Sequence, residues 1–416
     1  MTVTIICLAM LVTPLGVAFF SSASEPRELE VSGEAESHRM KAESVRALLD
    51  LIDTIVQQNP GYQHTRRELE ESSGELRQQR LTELYHRNAS DPMQMAKIEA
   101  FLQTEARQIY FRRFSNVTPD HFRRVFLALP YERISAPGDI ATPYFELFGQ
   151  TEKLRTLLDK LVEEIDLLRC RDIALRWLPA ADYPIPEMYL VYDNNAGSFT
   201  AEGKAFYNLY AGEADLEILS TDASGVIAHE LHHVLAEPYL KMSRRTHDRW
   251  QRDCMAMVIR SMVSEGAAIH CDPPQGFKLA LWEDRDTVVQ LMQELNHTLL
   301  ALENGMCEES EFWAWYSSTF HEIPRKLLED YASRTSGPTE VEKTVRAHLP
   351  QRPDLVHTLG WWMVSHVSQH GKDSSAVKAL ILNPYQLFSR YNETLAARDD
   401  SLRMNPLLIS AFGDEN

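Results

Sequence analysis

The sequence of 416 residues predicts an α+β fold that is predominantly α-helical, with one small sheet beside a helix carrying an HExxH motif. Three observations point there. Glycine is scarce, at 17 residues, and long stretches space their apolar residues three and four apart, as an amphipathic helix does. Short apolar, β-compatible runs gather in one place, between residues 188 and 209. Prolines punctuate the chain on the N-terminal side of those runs, at Pro130, Pro137 and Pro143 and again at Pro179, Pro184 and Pro186.

Taken in order, residues 3–20 (VTIICLAMLVTPLGVAFF) form an uncharged apolar run followed by Ser21-Ser22-Ala23, a small-residue cleavage site. Residues 1–23 therefore read as a secretory signal peptide, which places the mature chain outside the cytoplasm, secreted or at the cell surface or periplasm. No Lys or Arg precedes the run, so retention as an N-terminal membrane anchor is the other outcome, although Pro14 interrupts the segment and its length only just spans a bilayer. Residues 24–140 form a charged helical region, with examples at Ala42–Gln58 and Met93–Phe114. Residues 141–416 form the second region. Its first part, 145–175, is helical in period. Met188–Asp193 (MYLVYD) reads as a strand, Asn194–Gly197 as a turn, and Ser198–Thr200 and Ala205–Leu209 as further short strands. Helices follow at 222–237, 250–270, 278–304, 308–320, 339–348 and 355–395.

The motif lies in the first of these, Asp222–Glu237 (DASGVIAHELHHVLAE), with Thr221 or Asp222 as N-cap and Pro238 as stop. Residues i and i+4 of a helix share a face, so His229 and His233 can present imidazole nitrogens to one Zn²⁺, with Glu230 beside them to act on an activated water. Val226, Ile227, Leu231, Val234 and Leu235 make an apolar stripe, and His229, Glu230, His233 and Glu237 lie opposite. A surface helix with those four residues solvated would show the same pattern. His232 falls off the ligand axis and reads as a packing or supporting residue.

A catalytic zinc takes three protein ligands and keeps one position open. Glu237 stands eight residues from His229, about 12 Å along the axis, too far for one ion on a straight helix. Ala236 and Tyr239 exclude the three-histidine extension HExxHxxGxxH. Glu265 is the candidate third ligand. It sits in Ser264-Glu265-Gly266-Ala267-Ala268, in an otherwise apolar helix, where a carboxylate is costly unless paired or bound to metal. Gly266 and Ala267 permit close helix approach. The alternative partner for Glu265 is Arg260.

Together, His229-Glu230-x-x-His233 and Glu265-Gly266-x-Ala268 resemble the gluzincin (thermolysin-like) metallopeptidases, most of all their poorly characterised zinc-dependent peptidase branches. The resemblance covers residues of about 185–390 and none of the first 140. It implies a thermolysin-like zincin catalytic unit, one Zn²⁺ per chain held by His229, His233 and Glu265, and Glu230 as general base in peptide hydrolysis. An acidic residue four positions after the Glu ligand supports a ligand histidine in many members; here Ile269 stands there, which leaves Asp253, Glu237 or Asp222 for that task. Thermolysin-like enzymes also take an oxyanion donor, His or Tyr, from a later helix. His357 is the leading candidate, with an ordinary core or surface histidine as the alternative.

The expectation is an exported zinc metallopeptidase acting on peptide or protein substrates. The competing reading is a zinc-stabilised binding or scaffold protein without turnover. A net charge of −18 argues against nucleic acid as partner. Cys170, Cys254, Cys271 and Cys307 remain after the leader, either paired or as buried thiols. Asn88, Asn116, Asn296 and Asn392 occupy glycosylation sequons. Oligomeric state is not set by the sequence.

Overall fold

A computed structural model describes residues 40–114, 117–134, 136, 140–179, 183–193, 198–210, 216–242, 249–272, 284–319, 355–395 and 399–413. The leader, the 194–197 turn, the 339–348 helix and Asn116 lie outside them. The described chain is mostly helical with one three-stranded sheet, the predicted α+β class. Among the described residues no helix is long and apolar enough to cross a membrane. The chain divides into two units, one comprising Glu30–Leu167 and Glu187–Ser224, the other Leu168–Pro186 and Gly225–Asn416, apart from short leader segments.

Among the described residues of the first unit, eight helices precede the sheet: α1 Glu43–Gln58, α2 Tyr62–Glu71, α3 Gly74–Ala89, α4 Pro92–Leu102, α5 Glu105–Arg113, α6 Pro119–Ala128, α7 Ala141–Leu147 and α8 Thr151–Glu164. Local chemistry sets their starts. Asp91 accepts from the Met93 and Gln94 amides with Pro92 at the first helical position, and Thr118 caps α6 ahead of Pro119. The single helix expected over 93–114 is two. Thr104 takes an extended conformation and its hydroxyl donates to the Phe101 carbonyl, which stops α4 and starts α5.

The core of this unit is aromatic. Phe101, Tyr110, Phe122, Phe126 and Tyr144 pack ring to ring, mostly edge-on, with centroids 5.0–6.4 Å apart. Arg107 is fully buried among them, its guanidinium 4.8 Å from the Phe101 ring centroid. It pairs with buried Asp193 at 3.2 Å and donates to the Tyr192 carbonyl at 2.8 Å, tying α5 to the end of the first strand.

The strands are β1 Met188–Val191, β2 Phe199–Ala201 and β3 Lys204–Asn208, in the order β1-β3-β2, with β1 parallel and β2 antiparallel to β3. Glu202 and Gly203 both take positive φ, as a two-residue hairpin between β2 and β3 requires. Tyr189 and Phe199 both lie opposite Phe206, so three rings stack across the sheet at 5.1 and 4.5 Å. Lys41 bonds to Met188 and Leu190 on the outer edge of β1.

Nine helices complete the described chain. α9 (Leu167–Leu175) and α10 (Leu216–Met242) each cross from the first unit into the second. The others are α11 Trp250–Ala268, α12 Arg285–Glu303, α13 Glu309–Thr319, α14 Leu355–Val367, α15 Ser374–Leu382, α16 Leu387–Thr394 and α17 Pro406–Gly413. Both ends of one helix differ from expectation. α10 starts at Leu216, before the expected cap, and continues through Pro238 to Met242. Proline removes one N–H and crowds the carbonyl four residues back, which costs about 3 kcal/mol but does not have to end a helix that packing holds on the N-terminal side; Leu231, Leu235 and Ala236 are all buried there. The expected helical region 355–395 holds three α-helices, separated at positive-φ Gln369, His370 and Gly371 and again at Pro384.

α11 is buried along nearly its whole length and packs lengthwise on α14. The contact is backbone on backbone. A Cβ on Gly266 would stand 2.3 Å from the Gly360 carbonyl oxygen, and a Cβ on Gly360 would stand 2.6 Å from the Met262 carbonyl oxygen. The four later cysteines are free thiols, Cys307 part-exposed and the rest buried. The described sequon asparagines make hydrogen bonds within the fold. Asn88 is buried and donates to Leu127 at 2.9 Å, Asn296 bonds to Arg403 and Asn405, and Asn392 bonds to Met404.

Candidate metal centre

α10 carries His229 and His233 one turn apart, α11 carries Ser264 and Glu265, and α14 carries His357; these five side chains belong to the second unit. The solvated surface-helix alternative is not what the motif residues show: on α10 Glu230 is 7% exposed and His233 4%, with His229 and Glu237 part-buried, and Glu265 on α11 is 2% exposed.

The histidine Nε2 atoms of 229 and 233 lie 2.9 Å apart. Glu265 Oε2 is 3.5 Å from the first and 3.4 Å from the second. Among the described residues these three side chains are the one His/Cys/Asp/Glu group whose ligand atoms converge, all within 4.8 Å of one another. A tetrahedral ion with bonds of 2.0–2.1 Å has ligand–ligand edges of about 3.3–3.4 Å, so the triangle is the size a zinc ion needs. The donor set, two neutral imidazoles and one carboxylate, is that of catalytic zinc. Both Glu265 oxygens are buried and neither accepts a hydrogen bond, a deficit that a cation would meet. Arg260, the alternative partner for Glu265, turns to the Tyr385 hydroxyl at 3.0 Å. The residues fit the ion.

Burial and neighbouring charge set the protonation states. Burial drives His229 down to about 4, so its imidazole is neutral at pH 7 and free to donate a lone pair. Burial would raise Glu265, but the imidazoles of His233 and His357 outweigh it and hold the carboxyl well below its usual range. Glu230 moves the opposite way. Burial first, then the Glu265 carboxylate, push it well above an ordinary glutamate, and His357 only partly offsets them. The site thus holds two carboxylates whose proton affinities are driven apart.

The structure brings His229, His233, Glu265 and His357 together. His357 is buried with its Nε2 3.1 Å from Glu265 Oε2, on the same oxygen the two α10 histidines face. His232 is fully buried, with no hydrogen bond to either ring nitrogen, and burial lowers its proton affinity strongly. The expected acidic support is not found at His233. Its Nδ1 meets Ser264 Oγ at 3.1 Å. Glu237 instead pairs with Lys241 at 2.6 Å, and the side chain of Asp222 is outside the described residues. Sequence reasoning missed Ser264. The signal available was position: it directly precedes the candidate ligand glutamate.

His270 follows the end of α11, buried and stacked on Trp177 at 4.6 Å and tilted against Trp361 at 5.2 Å, with burial lowering it to about 4.

No curated protein and no solved structure matches the chain. A model of the protein family described as "Putative zinc dependent peptidase (DUF5700)" matches residues 98–401, which is well over half of the sequence and includes all three clustered side chains. The converging His-His-Glu group is compatible with that description, and the chain belongs to this family.

Proposed function

We propose that the protein is an exported metallopeptidase of the gluzincin type, in which His229, His233 and Glu265 hold one zinc ion and Glu230 is the general base. The single observation that carries the reading is the convergence of the three ligand atoms from two helices. The apolar run 3–20 with its small-residue site is what supports export. All the residues with roles fall within 141–416.

When bound, zinc supplies a Lewis acid that polarises the scissile carbonyl and acidifies a water. The remaining work belongs to side chains. Glu230, with its raised proton affinity, accepts the water's proton and returns it to the leaving amine; an ordinary glutamate would hold that proton too weakly to act as the acid at neutral pH. His357, whose Nε2 lies 3.1 Å from Glu265 Oε2, is the candidate to steady the developing oxyanion. Burial of the group excludes bulk water and strengthens each of these interactions.

Glu230→Gln tests the reading. Offered a quenched peptide library, zinc-loaded wild type should cleave. Glu230→Gln should keep its zinc and lose at least about 100-fold in rate. A wild type that binds one zinc yet cleaves nothing the library offers would favour the scaffold reading.

A further inference from the structure

We propose that Ser264 is the positioning residue for His233, fixing the imidazole tautomer that turns Nε2 toward the metal position. This rests on the reading of His229, His233 and Glu265 as the ligand set. Ser264 Oγ lies 3.1 Å from His233 Nδ1. Ser264 is 6% exposed and His233 4%, so water has little access to replace either partner. A neutral imidazole carries one proton. If His233 Nε2 offers its lone pair to the ion, the proton sits on Nδ1 and donates to Ser264 Oγ.

The placement has a mechanical consequence. Ser264 and Glu265 are consecutive on α11, so a single backbone segment sets both the ligand carboxylate and the orientation of a ligand histidine on α10. It also has an electrostatic one. The position four residues beyond Glu265 holds buried Ile269, and the acceptor on His233 is a neutral hydroxyl. A carboxylate there would strengthen the imidazole as a donor and cancel one more unit of the ion's charge. A hydroxyl orients the ring without doing so and leaves the ion more electrophilic.

The test uses the full chain and zinc alone. Zinc affinity, measured by chelator competition, should fall about 10–100-fold in Ser264→Ala and recover to within a few-fold in Ser264→Thr. The visible spectrum of the cobalt-loaded protein should shift in Ser264→Ala and return in Ser264→Thr. Ser264→Ala binding zinc within twofold of wild type would overturn the proposal. Should that variant not fold, long-range ¹H–¹⁵N spectra of histidine-labelled wild type decide: an Nδ1–H tautomer at His233 supports the proposal and an Nε2–H tautomer overturns it. His233→Ala serves as the control. If wild type and His233→Ala are alike in failing to take up zinc, the ligand assignment itself fails; if only His233→Ala fails and Ser264→Ala matches wild type, the ligand assignment stands and the role of Ser264 falls.

Discussion

Gly266 and Gly360 meet with so little space between them that a Cβ on the first would lie 2.3 Å from the carbonyl oxygen of the second. Glu265 adjoins one glycine and His357 stands three residues before the other, so this crossing is what allows Glu265 Oε2 and His357 Nε2 to come within 3.1 Å. The metal centre is set by how closely two helices approach as well as by the motif on a third.

The first prediction follows from that contact. Gly266→Ala should force α11 and α14 apart, because the obstacle is backbone and cannot rotate away. Overpacking of this kind costs about 1–3 kcal/mol or more, and weaker zinc binding should accompany it. Urea unfolding and zinc titration of the same preparation check both. Unchanged stability would show that the helices approach less closely.

Arg107 is predicted to be a stability determinant remote from the chemistry. It is fully buried, and Asp193 is its carboxylate partner at 3.2 Å. Arg107→Leu removes the guanidinium from that buried carboxylate and should cost about 3–5 kcal/mol. Adding Asp193→Asn should restore part of the loss, because the buried charge goes with it. A double-mutant cycle read by urea unfolding measures the coupling, and simple additivity would contradict the pairing.

His270 gives stability a pH dependence. Its folded value, lowered by burial to about 4, lies below the 6.5 of an unfolded histidine. Between those values the unfolded chain binds the proton and the folded chain does not, so stability rises with pH across the window and is lost as pH falls through it. The span amounts to roughly 3 kcal/mol. His270→Phe, which keeps an aromatic ring against Trp177 and Trp361, should reduce the slope of melting temperature against pH between 4 and 6.5 by the share of one histidine, while His229 and His232, lowered in the same direction, keep the remainder. The same slope in the variant would assign the dependence to other groups.

How much of this was legible in the sequence differs from residue to residue. His229 and His233 were legible because a helix has a fixed period, and Glu265 because a lone carboxylate in an apolar helix demands a partner. The strands came from short β-branched and aromatic runs, and their boundaries moved by a residue or two. Arg107 was not legible, since Glu-Ala-Arg-Gln-Ile-Tyr-Phe-Arg-Arg reads as a surface helix and only tertiary packing distinguishes one arginine from its neighbours. Ser264 escaped for a related reason: its partner is 31 residues away on another helix. The run through Pro238 went against a local rule because tertiary contacts hold the preceding turn.

Metal content tests the central claim most directly. Wild type, His233→Ala and Glu265→Ala, expressed with added zinc and dialysed, would be analysed for metal per chain. The account predicts about one zinc in wild type and its loss or marked weakening in both variants, as expected when two of three ligands are removed in turn. Wild-type protein free of zinc would contradict it, and zinc retained in Glu265→Ala would remove Glu265 from the site.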